Sequence, residues 1–173
     1  MPKSLSIHLS SDIAHILESD CKHEGITLNS KVKQILTKYY EWEKPAHGLR
    51  VMMLSKDFFR EILNQIDDDE ISEIALKTTK PLFVSLTKFR SVHLDINNLI
   101  GSLEAYLKAS QINFKHNKKN NNHKYFINHQ LGRKYGVYIT SLFDSMFCDV
   151  GYKLINVELH DNSMVFEITP IND

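Results

Sequence analysis

The residues able to do chemistry are unevenly spread along the chain. Nine histidines are many for 173 residues, and four of them, His93, His116, His123 and His129, fall in or near one stretch that reads as a hairpin. Neutral imidazole is a common metal ligand and proton carrier. His123 and His129 share strand parity and so point to one face, but six residues of strand span about 20 Å, beyond the reach of a shared ion. Only a fold-back with His116 or His93 would close such a site. Solvated or hydrogen-bonded histidines are therefore expected, with no metal. Asp67-Asp68-Asp69-Glu70 offers hard oxygen ligands, yet it lacks the spacing of a calcium loop, and acids at a helix start favour the dipole. Cys21 and Cys148 lie far apart without a C-x-x-C pair, as buried free thiols in a reducing compartment would. A nucleophile elbow, a phosphate-binding glycine loop, an H-E-x-x-H and a paired-carboxylate signature are all missing. Six glycines leave little for nucleotide loops, so neither catalysis nor a cofactor is expected.

Positive charge gathers in one place. Lys115, Lys118, Lys119 and Lys124 surround an asparagine-rich turn, a basic tip that reads either as a solvated hairpin loop or as a secondary patch for DNA phosphates. Arg133 and Lys134 would extend the patch. The chain as a whole has a formal charge of zero, so no global field draws it to a polyanion.

The stretch that organises the rest is Lys3 to Trp42. Leu5, Ile7 and Leu9 alternate with Ser4, Ser6 and His8, and a period of two puts the apolar set on one face of a strand and the polar set on the other. Ser10-Ser11-Asp12 is a run of N-cap residues. A helical stripe of Ile13, Ile16, Leu17 and Cys21 follows, and Gly25 fits a C′ position. Thr27 then caps a second helix with the stripe Val32, Ile35, Leu36 and Tyr39. One strand and two single-striped helices cannot enclose a core. A second copy would solve this: the strands pair as an antiparallel ribbon over four helices, with Ser4, Ser6 and His8 facing out in duplicate. Such a ribbon fits a DNA major groove.

These features, with the G-I-T-L-N turn at 25–29 and the V-x-x-I-L-x-x-Y stripe, resemble a ribbon-helix-helix DNA-binding domain of the MetJ and Arc class. The resemblance covers about a quarter of the chain. It implies a homodimer on double-stranded DNA, base reading by Ser4, Ser6 and His8, and phosphate gripping at the start of the second helix by Thr27 and Asn29, with Lys3 and Lys31 adding charge. Two features depart from the family. The outward strand positions lack the Arg or Lys common there, and residues 1–44 balance six lysines with six acids. A protein-interaction module, antitoxin-like or for assembly, and a metal-responsive regulator using the C-terminal histidines are the alternatives.

The remaining elements follow from punctuation and periodicity. Glu43 to Gly48 carries Pro and Gly and marks a boundary between a first domain, 1–44, and a second, 49–173. Residues 49–55 suggest a strand, with Ser55 capping a helix through Phe58, Phe59, Ile62, Leu63 and Ile66. A helix through Ile71, Ile74, Ala75 and Leu76 should stop before Pro81, and 82–90 suggest a further helix. Then one unit occurs twice. A helix through Leu99, Ile100, Leu103 and Leu107 leads to strands at 111–117 and 123–130. A helix through Tyr138, Ile139, Leu142, Met146 and Phe147 leads to strands at 152–160 and 163–169, joined by Asp161-Asn162. The expected fold class is α+β: a ribbon-helix-helix, then an α+β domain whose two hairpins form one four-stranded antiparallel sheet covered by helices on one face. That second domain would assemble or sense an effector. The N-terminus lacks an apolar leader and no apolar run approaches about 20 residues, so a cytoplasmic protein with no membrane partner is expected.

Overall fold

Helix α1 runs Ser11–Glu24 and α2 Leu28–Lys38 in the computed structural model, which describes residues 6–48, 54–90 and 93–171. The turn between them is built as expected. Gly25 takes the left-handed conformation at φ 66°, and the Thr27 hydroxyl accepts the Ser30 N–H at 3.2 Å. Ser10 is extended and precedes α1, but its side chain makes no cap bond. Residues 6–9, expected within a strand, form none. A strand exists only through hydrogen bonds to a neighbouring edge, and one copy of this unit supplies no edge. Lys3, Ser4 and Leu5 lie outside the described residues.

Contacts divide the chain into two units, Met1–Tyr40 and Glu41–Asp173. The expected helix break at Glu43 to Gly48 does not occur. A π-helical turn, Tyr39–Glu43, leads instead into α3, Lys44–Gly48. The same device recurs. Helix α5, Asp68–Ile74, does not stop ahead of Pro81 but passes through a second π-turn, Ala75–Thr79, into α6, Lys80–Arg90. In both places the π-turn ends where a Lys-Pro pair begins. Proline lacks an N–H and its ring crowds the carbonyl four residues back. One wider turn ahead of it relieves both problems and lets the helix continue.

Helix α4, Lys56–Asn64, is capped by Ser55, and α5 by Asp67, whose carboxylate accepts the Glu70 N–H at 2.9 Å. Asp68, Asp69 and Glu70 fill the first turn of α5, where the dipole favours acids. Of the expected strand at 49–55, positions 49–53 lie outside the described residues, and Leu54 and Ser55 are not in a strand.

The repeated unit is present. Helix α7, Ile96–Ala109, leads to β1, Asn113–Lys119, and β2, Asn122–Asn128. Helix α8, Arg133–Cys148, leads to β3, Tyr152–Leu159, and β4, Ser163–Pro170. The sheet order is β1-β2-β4-β3, antiparallel throughout, so the second strands of both hairpins lie at the centre. The first hairpin turns on Asn120-Asn121 alone, with Asn120 at φ 55°. A bulge between Ile155 and Glu158 shifts the register of β3. Period two then sorts the strands. Tyr125, Ile127, Met164, Phe166 and Ile168 are buried together with Leu103 and Leu107 of α7 and Ile139, Leu142, Phe143, Met146 and Phe147 of α8. The alternate residues, among them Lys115, Asn117 and Phe126, stay exposed. Buried Thr87 and Ser102 satisfy one another at 2.8 Å. No helix among the described residues is long and apolar enough to cross a membrane.

Gly132 connects the two repeats. It sits at φ 83°, ψ 158°, a region that essentially only glycine occupies, and its N–H donates to the Asp161 carbonyl at 2.9 Å. Gly132→Ala is expected to cost about 1–3 kcal/mol of stability, measured by urea denaturation. A loss below a few tenths would show that the connection tolerates a side chain.

Candidate nucleic-acid interface

In the first unit, Ser6 and His8 are exposed, and so are Thr27 and Asn29 at the start of α2. The first turn of α2 contains no acid, so its N-terminal dipole is uncompensated from within the helix. The Thr27 hydroxyl is already used, accepting from Ser30 N–H and sharing a bond with Ser30 Oγ at 2.9 Å. Lys31 is paired across the turn. Glu24 and Asp20 of α1 hold its ammonium and raise its pKa, chiefly through the Glu24 hydrogen bond. The spacing along α2 shows nothing of this, because both acids lie across the turn on the other helix. Ser4 and Lys3 lie outside the described residues.

The apolar residues of this unit are the more informative ones. Cys21 alone among its described residues is buried. Ile13 is 50% exposed, Ile16 62%, Ile35 47% and Leu36 50%, with Ile7 and Leu9 also open. Half of the first stripe and all of the second except Val32 face outward.

In the second unit, Lys115, Lys118 and Lys119 are exposed and form no ion pair among the described residues. Lys124 is tied to Glu167 at 2.9 Å, which lowers the Glu167 pKa. Arg133 and Lys134 do not extend the patch. Arg133 pairs with Asp68 at 2.7 Å, and Lys134 donates to the carbonyls of Asn64 and Ile66 just after α4, as cations do at helix C-termini. Both partners are more than sixty residues away in sequence.

The histidines separate. His93 is exposed ahead of α7, its carbonyl accepting from Asn98. His116 and His123 meet, Nε2 to Nδ1, at 2.9 Å, while Glu104 Oε1 lies 2.9 Å from His116 Nδ1 and accepts the Tyr125 hydroxyl at 3.1 Å. The carboxylate favours a proton on His116 Nδ1, so the contact between the rings holds one proton. Burial, then His116 and Lys118, lower the His123 pKa, with Glu104 opposing. The His116 ring stacks on Tyr125 at 4.4 Å. His129 is elsewhere, wholly buried against Tyr135. Among the described residues no three His, Cys, Asp or Glu side chains are placed to hold a metal ion. Sequence reasoning missed Glu104, although it is the last acid before a long acid-free run.

His129 Nδ1 accepts the Leu131 N–H at 3.0 Å, and Nε2 is buried without a hydrogen bond of normal geometry. Burial pushes its pKa down to about 4, the Ser163 backbone offsets this in part, and Lys56 adds to it. Comparison with protein-family models, curated proteins and solved structures finds no match.

Because the unfolded histidine titrates near 6.5 and the folded one near 4, the unfolded chain takes up the extra proton between these values. Stability should therefore fall as pH drops from about 6.5 to 4, then level off for this group. His129→Gln should flatten that part of a stability-versus-pH curve from chemical denaturation. An unchanged slope would rule out His129 as its source.

Proposed function

We propose that the chain is a homodimeric DNA-binding regulator in which the segment up to Leu9 pairs with its twin as a two-stranded ribbon in the major groove. The observation carrying this reading is the open apolar surface of the first unit: Ile7, Leu9, Ile13, Ile16, Ile35 and Leu36 are all exposed in one copy. Residues at strand and helix spacing this consistent are selected to be buried. Two copies would bury both stripes, at roughly 25 cal/mol for each Å² of apolar area removed from water. The polar positions Ser6 and His8 then lie on the opposite side from Ile7 and Leu9, where bases would be read.

The first turn of α2 supports a phosphate contact by free backbone N–H groups and by Asn29 rather than by Lys31, whose charge is already committed to Glu24. Lys115, Lys118 and Lys119, which form no ion pair among the described residues, suit a further polyanion contact. An interaction module that dimerises without DNA is separated from this reading by salt. Affinity for a duplex selected from random sequences should fall with rising salt in proportion to the phosphates contacted. Binding to no duplex at low salt, by a chain that still dimerises, would leave only the module.

Ser6→Ala with His8→Ala should remove sequence discrimination while sedimentation still reports a dimer, each lost base contact being worth about 1–3 kcal/mol. Discrimination that survives in the double variant would sink the base-reading assignment. Asn29→Asp places a charge against phosphate and should weaken all sequences alike, by about two- to fivefold. An effect confined to the selected sequence would instead place Asn29 at a base.

A further inference from the structure

From Ala105 to Phe143 the chain contains seven Lys or Arg residues and no acid, in a molecule whose formal charge is zero. The fold brings part of this run onto the sheet face away from the helices. Residues 115, 117 and 119 of β1 share that face with Lys124, Phe126 and Asn128 of β2, because Lys115 pairs with Phe126 and Asn117 with Lys124 across the ladder. Phe126 is 39% exposed, while its neighbours Tyr125 and Ile127 are buried on the helix side. A hollow of about 620 Å³ lies on this face, lined by Lys115, Asn117, Phe126, Asn128, Ser163 and Val165.

We propose that this open sheet face binds single-stranded nucleic acid, with Phe126 as a stacking platform for an unpaired base. Three physical requirements meet there. The backbone of a single strand needs cations that are not already neutralised, and Lys115 and Lys119 form no ion pair among the described residues. A base needs an exposed π face; the Lys124 ammonium now lies 5.4 Å from the Phe126 ring centre, a cation position that a stacked base would take over. Base edges need donors and acceptors at the rim, and Asn117 and Asn128 supply both. A duplex fits this face poorly, because its bases are already stacked and a single flat ring reaches none of their faces. Glu167, opposite Lys124 on the β2–β4 ladder, is held by it, and Glu158 of β3 lies opposite Val165. The lysines therefore dominate on the β1–β2 side, and the strand is expected to run there. This inference does not depend on the ribbon reading of the first unit.

The test uses the full chain and a fluorescein-labelled twelve-residue oligothymidylate, with a duplex of equal length alongside, read by anisotropy across a salt series. The single strand should bind more tightly than the arbitrary duplex. Phe126→Ala should weaken single-strand binding by about tenfold or more, and Phe126→Tyr should restore it. Phe126→Leu keeps apolar bulk without a π face and should behave like the alanine variant. Lys115→Gln with Lys119→Gln should reduce the salt slope by roughly 0.7 per lysine. Ser6→Ala with His8→Ala should leave single-strand binding unchanged, which separates this site from the ribbon. Thermal denaturation of each variant checks folding, and the tyrosine and leucine pair decides the question if alanine unfolds the sheet. No binding to the oligonucleotide, or equal binding by the tyrosine and leucine variants, overturns the proposal. So does a change in sedimentation with Phe126→Leu at unchanged oligonucleotide affinity, which would make the face a contact between copies.

Discussion

The second unit depends on the burial of α8 against the sheet. Tyr135, Ile139, Leu142, Phe143, Met146 and Phe147 are all almost wholly buried, and they recur at the three- and four-residue steps that keep one helix face inward. Gly136 shows how close that approach is. A Cβ there would come within 2.9 Å of a Leu159 methyl of β3. The other helices then arrange themselves around α8. Phe59 of α4 meets Tyr135 and Tyr138 edge-on, and Phe83 of α6 meets Phe143 at 5.2 Å. Ser72 of α5 shares a hydrogen bond with Ser141 at 2.9 Å. These helices cover one face of the sheet, and the other face keeps Lys115, Asn117 and Phe126 exposed.

The two units handle apolar surface in opposite ways. The second encloses its stripes within one chain. The first displays them, with Cys21 as its one buried described residue. A short segment and two helices of 14 and 11 residues are too small a set to surround a core, whatever their spacing. The residues before α1 likewise have no hydrogen-bonding edge beside them in this unit, so the proposed ribbon would answer two needs at once, the edge and the apolar cover.

Much of the fold was legible in the sequence because its signals are local. Gly25, Thr27, Ser55 and Asp67 each act within a turn of their own position, and the hairpin strands announce themselves by alternation. The paired Ile100/Leu103 and Ile139/Leu142 positions are all buried, as their shared place in the repeat implies. The site was less legible because charge is spent at a distance. Lys31, Arg133 and Lys134 look free along the chain, and each is committed to a group that only folding brings near. Glu104 went unnoticed for the same reason, since its partners His116 and Tyr125 belong to strands formed later in the chain. The prolines misled differently. Pro45 and Pro81 are strong stop signals when only α-helical geometry is considered, and the π-turn that accommodates them has no sequence signature of its own.

Those π-turns also adjust rotational phase. From Ile71 the inward positions run through Ala75 and the half-buried Thr79 to Phe83 and Thr87, in steps of four. In an uninterrupted α-helix each step of four overshoots a full turn by about 40°, and the face would wander off the core well before Thr87. The extra residue within Ala75–Thr79 winds the chain back by about 100°, so that α5 and α6 keep one face toward the core despite their length. The proline and the surplus residue are thus a matched pair: removing one position from that turn would straighten the hydrogen-bond ladder and aim Phe83 away from the interior it now fills.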